Sequence, residues 1–155
     1  MSVKARHRSR RRDGFTLIEL LVVIAILGIL ASVVAFGVVK YLDEARVKKA
    51  KLQVVNFKSA LDAYKIDVGN YPSQDTGLKA LLEPPSEERA ARLWKGPYMD
   101  VDKIPLDPWG AEYIYQLSEY PGTGVERVEI ISYGKDGVQG GEGYNADVSN
   151  RTVDE

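Results

Sequence analysis

The sequence predicts an α+β protein in which one long N-terminal helix, half apolar and half amphipathic, packs on a small antiparallel β-sheet. Three observations carry that expectation. An apolar run from Phe15 to Val39 follows directly on a basic stretch. A helical stripe of apolar residues then continues from Val47 to Val68. Most of the glycine and proline falls after residue 68, between short β-prone segments.

Residues 1–14 hold Lys4, Arg6, Arg8, Arg10, Arg11 and Arg12 against Asp13 alone, although the whole 155-residue chain has a formal net charge of −1. A basic arm can serve nucleic acid, but the adjoining apolar run makes membrane topology the reading. Positive residues beside a first apolar helix hold that end in the cytoplasm. No nucleic-acid partner is expected.

The run FTLIELLVVIAILGILASVVAFGVV makes a helix of roughly 37 Å at about 1.5 Å per residue, enough to cross a hydrocarbon core of about 30 Å. A cleavable secretory signal has a shorter apolar core and then a small-x-small cleavage site. This run passes into a charged helix instead. Gly28 and Gly37 are its local weak points. Glu19 is the exception in the run: a carboxylate near the start of a membrane helix is costly unless paired or snorkelling to headgroups, and such residues are usually functional.

Beyond Val39 the chain turns polar and keeps the helical period. Val47, Ala50, Val54, Phe57, Leu61, Tyr64 and Val68 form one stripe, with Lys48, Lys49, Lys51, Lys58, Asp62 and Asp67 largely elsewhere. The spacing is that of a coiled-coil seam, but the globular part needs a core, and the stripe is its packing face. Gly69 is a suitable helix-ending residue and Pro72 prevents resumption, so one helix is expected from about Phe15 to Val68.

The remainder reads as short elements. Thr76–Leu82 forms a short helix stopped by Pro84-Pro85, and Ser86 is a candidate cap for a turn through Leu93-Trp94. Tyr113–Leu117 and Val125–Ser132 read as strands joined through Pro121-Gly122-Thr123-Gly124, an antiparallel hairpin that covers the amphipathic helix. Trp94, Tyr98, Trp109, Tyr113 and Tyr115 could form a carbohydrate or single-strand platform, but a small domain without disulfides uses its aromatics as core. The chain has no cysteine, and its one histidine is His7. Thiolate and imidazole chemistry are thereby closed to residues 15–155, and no enzyme is expected.

Gly14-Phe15-Thr16-Leu17-Ile18-Glu19-Leu20 after a basic arm resembles the processing signature of type IV pilins and their pseudopilin relatives. The resemblance implies cleavage between Gly14 and Phe15 by a prepilin peptidase, followed by N-methylation of Phe15. It also implies that Glu19 pairs with the new amine of a neighbouring subunit during assembly; a pair within one chain is the competing arrangement. GNYPSQDTGLKALL, WKGPYM, IPLDPWGAEYIY and ISYGKDGVQGGEGYNADV follow in order and resemble the major pseudopilins of type II secretion systems. The family fold is the pilin-like lollipop. It implies a cleaved leader over residues 1–14, a transmembrane and filament-core helix over 15–39, and a periplasmic globular domain over 40–155. Two positions depart from the pattern: Phe36 stands where many relatives have proline, and Arg151 where they often have tryptophan.

Ser132 to Val148 is a glycine-rich loop studded with oxygen donors. Its spacing is not an EF-hand, and composition alone fits a solvated acidic turn. The resemblance implies a structural Ca²⁺ site, with side-chain ligands from Asp136 and Asp147, carbonyls from Tyr133 and Val148, and Glu142, Asn145 and Ser149 as lesser candidates.

The function implied is that of a subunit polymerising into the periplasmic pseudopilus of a type II secretion system, exporting folded proteins through the outer membrane. Its implied partners are other copies of itself, minor pseudopilins, the prepilin peptidase and methyltransferase, and the inner-membrane assembly platform with its ATPase. The competing reading is a type IV pilin for adhesion, motility or DNA uptake. Those proteins commonly close a C-terminal loop with a disulfide, which this chain cannot form.

Overall fold

The computed structural model describes residues 14–152, with residues 33–37 described in backbone only. The basic leader up to Asp13, with His7, and the side chain of Phe36 lie outside the described residues, as does Gly37 beyond its helical backbone. One helix, α1, runs from Leu17 to Val68. Its start lies two residues later than the apolar pattern suggests, because Thr16 caps it: the Thr16 hydroxyl accepts from Glu19 N–H at 3.2 Å. Its end is as expected. Gly69 takes φ +100°, and its N–H donates to Lys65 O at 2.8 Å.

The described residues divide into two units, one ending at Lys40 and the other beginning at Tyr41. In the first, Leu20, Leu21, Ile24, Leu27 and Leu30 are all more than half exposed. Apolar side chains on every face of a helix call for lipid or for neighbouring helices. Among the described residues no helix is long and apolar enough to cross a membrane; the side chains of residues 33–37, outside the description, divide the apolar run that the sequence carries unbroken.

The second unit holds the core. Ala50, Val54, Phe57, Leu61, Tyr64 and Val68 of the stripe are buried, Ala60 joins them, and Val47 packs at the margin. A 3₁₀ turn over Gly77–Leu81 contributes Leu78, Ala80 and Leu81 to that core. The short helix α2 covers Glu88–Leu93. Its N-cap is Glu87 rather than Ser86, and no side chain caps it.

Strands β1 (Ile114–Glu119) and β2 (Glu126–Ser132) form the expected antiparallel hairpin; β1 is shifted toward the turn, and β2 starts one residue late and ends at Ser132 as expected. Its turn is built on Pro121 and on Gly122 at φ +74°, with Thr123 N–H donating to Tyr120 O. A third strand, β3 (Val148–Ser149), pairs antiparallel with β2, giving the order β1-β2-β3. Two residues are too few to show an alternating pattern, which is why the sequence conceals it.

Side-chain amides complete the sheet where strands are lacking. Gln74 donates to Tyr115 O at 2.6 Å and accepts from Leu117 N–H at 2.9 Å, occupying the open edge of β1. Asn150 does the same for β2, accepting from Ile130 N–H and donating to Val128 O.

The aromatics behave as core. Tyr113 and Tyr115 are buried, and Trp94, Tyr98 and Trp109 pack against the cluster. Phe57 meets Tyr113 edge-on at 5.1 Å between ring centroids. The buried hydroxyls find partners, Tyr113 on Gln53 and Tyr115 on Pro72 O, and burial pushes both phenols well above their ordinary pKa. Arg151 settles at the surface, 2.9 Å from Glu129, an ion pair that ties the terminal segment to β2.

Candidate functional site

Two places carry the chemistry singled out in the sequence. The first is the start of α1. Thr16 N–H and Thr16 Oγ both donate to Glu19 Oε2, at 3.0 and 3.1 Å, while Thr16 Oγ accepts from Glu19 N–H. This is a capping box, a reciprocal arrangement that satisfies helix N–H groups which have no partner in the first turn. Glu19 is exposed there, and Gly14 and Phe15 precede the helix as exposed, non-helical residues. The Thr-x-x-Glu pattern was legible in the sequence and identifies Thr16 as a residue the reading passed over.

The second place is the loop between β2 and β3. Ser132 and Val148 are ladder partners, so the loop opens and closes at one paired position. Tyr133 and Asp147 flank that pair, which brings two of the expected ligands to the loop's neck. Asp147 Oδ2 accepts from Gly140 N–H at 3.0 Å, whereas Asp147 Oδ1 is buried without a hydrogen-bond partner. A buried carboxylate oxygen without a donor is costly unless a cation answers it.

The glycines explain how the loop folds so tightly. A Cβ at Gly141 would stand 2.5 Å from Asn145 O, and one at Gly134 would stand 2.8 Å from Ala146 O. Both glycines also have positive φ. Carbonyls are thus pressed against the facing arm of the loop.

Asp136 is exposed, and its Oδ1 accepts from Val138 N–H at 3.1 Å in a local turn. Glu142 and Asn145 are exposed around a short 3₁₀ turn over Gly143–Asn145. Ser149 Oγ is taken up by Arg151 N–H, and Ser149 O by Thr152. Among the described residues no group of three or more histidine, cysteine or acidic side chains stands together. The expected donors, aspartate carboxylates and backbone carbonyls, are all oxygen, which would suit a hard cation rather than zinc; Asp136 is turned to its own local turn while Asp147 lies at the neck.

The Asp-Pro-Trp-Gly turn supports this neck from below. Asp107 is 5% exposed; its Oδ1 accepts from Trp109 and Ala111 N–H, and its Oδ2 from Ser132 Oγ at 2.5 Å. A carboxylate that receives three donors can be buried at little cost. The sequence offered this segment only as part of a family resemblance and not with its partner, since nothing local links Asp107 to Ser132.

A long N-terminal helix with a capped glutamate, followed by a small antiparallel sheet with a glycine-rich closing loop, defines a pilin-like subunit. The family model for type II secretion system protein G matches residues 37–151, and that for the prokaryotic N-terminal methylation motif matches residues 9–35. The chain is 38% identical to the type II secretion system core protein G of Vibrio cholerae over 146 residues, covering 94% of this chain and 96% of that one. It is 42% identical to the core protein G of Pseudomonas aeruginosa over 142 residues, covering 91% and 96% respectively. The crystal structure of the major pseudopilin from the type 2 secretion system of enterohaemorrhagic Escherichia coli superposes with a TM-score of 0.54 at 33% identity, over 72% of this chain and 87% of that one. The chain belongs to the type II secretion system protein G family. Its role is that of a pseudopilin, in a family of structural secretion-system subunits.

Proposed function

We propose that this chain is the repeating subunit of a periplasmic pseudopilus that drives folded proteins out through the outer membrane, and that it acts by packing rather than by catalysis. The observation that carries the reading is the capped Glu19 at the head of an apolar helix whose described side chains have no packing partner in their own unit. In this reading the Phe15–Val39 segment anchors the subunit in the inner membrane, with its basic end cytoplasmic. Removal of residues 1–14 by the prepilin peptidase exposes the Phe15 amine, which is then methylated. Copies stack through their apolar helices, with Glu19 of one facing the amine of the next and setting register. Minor pseudopilins, the inner-membrane assembly platform and its ATPase complete the machinery. A charge pair at the border of a low-dielectric medium is strong enough to select one register, even after desolvation removes part of the gain.

The closing loop belongs to the same reading as a structural calcium site. Asp147 and Asp136 supply carboxylates, and Tyr133 and Val148 supply carbonyls at the neck; the orphaned Asp147 Oδ1 supports this assignment. Glu142 and Asn145 are close enough in sequence to contribute. The ion's part is to hold in place a loop whose glycines make ordering entropically costly.

Co-expression of wild-type and Glu19→Ala chains with the secretion machinery tests the register role. The variant should be processed and inserted yet form few filaments and export little cargo. Normal filaments from it would refute the role given to Glu19.

A further inference from the structure

Lys135 makes two connections at once. Its backbone N–H donates to Tyr144 O at 3.1 Å, closing the glycine-rich loop across its width. Its Nζ lies 2.7 Å from Asp43 Oδ2 on α1, 92 positions earlier in the chain. The Asp43 side chain is 6% exposed and that of Lys135 is 44% exposed, so a solvent-facing cation covers a buried carboxylate. Arg46 reaches the other Asp43 oxygen at the looser distance of 3.5 Å. Gly143 and Tyr144 lie along the same stretch of helix, beside Val47, Lys48 and Lys51. The loop is therefore fastened to the first turns of the unit that begins at Tyr41.

We infer that the Lys135–Asp43 ion pair couples cation binding in the loop to the order of α1 just beyond its apolar segment. The inference rests on the calcium reading of the loop. Lys135 is the chain neighbour of Asp136, so the contact to α1 and the proposed ligands lie on one short arm. Ordering that arm has a single entropic cost, shared by whatever orders it. Docking on α1 and binding a cation then favour each other, and by linkage each strengthens the other equally. A plain Coulomb effect has the opposite sign, because an ammonium close to a cation site repels the cation. Removing the Lys135 charge would by itself tighten binding, whereas removing the attachment loosens it.

The test uses the full-length chain in detergent, titrated with calcium and followed by hydrogen exchange, in the wild type, K135M, D43N and the double variant. K135M should bind calcium about threefold to tenfold more weakly, and the double variant should be no weaker than K135M, as expected for residues acting as one unit. Calcium should slow exchange at residues 43–50 in the wild type and leave it unchanged in K135M. Unchanged or tighter binding by K135M overturns the inference, as does slowing that persists in K135M. A wild type that takes up no calcium removes the calcium site and the inference together. A wild type that binds, with variants indistinguishable from it, removes the inference alone.

Discussion

Both donors of Thr16 fall on one oxygen of Glu19, Oε2, and among the described residues nothing occupies Oε1. The carboxylate can therefore cap its own helix and still accept an ammonium on its second oxygen. The two arrangements left open by the sequence, a pair within one chain and a pair between chains, need not exclude the capping box.

Thr16→Val removes the hydroxyl while keeping the shape. It should destabilise the first turn by about 0.5–2 kcal/mol and leave Glu19 free to rotate away from its register position. Processing should continue while filament yield falls, and Thr16→Ser should restore the yield. Electron microscopy of sheared or overproduced filaments measures the difference. Equal yields from the valine and serine variants would show that the cap plays no part in assembly.

Calcium should raise the melting temperature of the wild type. Saturation at a hundred times Kd stabilises by about 2.7 kcal/mol, which for a domain of this size is on the order of 10 °C. Asp136→Ala should melt lower and lose all dependence on added calcium. Asp147→Asn should lose the dependence too, since it removes the charge of the orphaned oxygen. Identical melting curves with calcium and with chelator in the wild type would remove the site.

Phe57 of α1 is fully buried and meets Tyr113, the residue before β1, edge-on. Phe57→Ala should cost about 3–5 kcal/mol, a large share of the stability of a small domain. Denaturant unfolding gives the value directly.

Gln74→Ala leaves Tyr115 O and Leu117 N–H without their side-chain partner on the edge of β1. The expected loss is about 0.5–1.5 kcal/mol, since water can reach this edge, with faster hydrogen exchange concentrated at Leu117. A change spread evenly over the whole sheet would contradict the edge role.

Acid should loosen the end of α1. Lys95 donates to Asp67 at 3.0 Å, and that hydrogen bond, with a further one from Tyr98, holds the Asp67 carboxyl below its usual pKa. The same bond raises Lys95. A depressed carboxyl gives stability that is present above its unfolded pKa, near 4, and lost as pH falls through the folded value. A raised lysine gives stability that is present below about pH 10 and lost above it. The difference in melting temperature between wild type and Asp67→Asn should therefore be constant near neutrality and shrink below about pH 4.

What the sequence revealed was whatever repeats or stands in a short pattern. The stripe from Ala50 to Val68 follows the helical period, and its buried members are those the spacing selects, with Ala60 added from the flank. The hairpin follows from two β-prone runs and a Pro-Gly turn. Pairings between distant residues were hidden: Asp43 with Lys135, Asp107 with Ser132, and Gln74 with the β1 edge each join segments that no local pattern connects. β3 was hidden for a related reason. Two residues become a strand only because β2 offers them a partner.

The account as a whole depends on the head of α1 being a processed terminus that meets a neighbouring copy. Intact mass of the native protein extracted from membranes addresses this most directly. The predicted result is a chain beginning at Phe15, lacking residues 1–14 and carrying one added methyl group. A chain that retains its leader without modification would contradict the account.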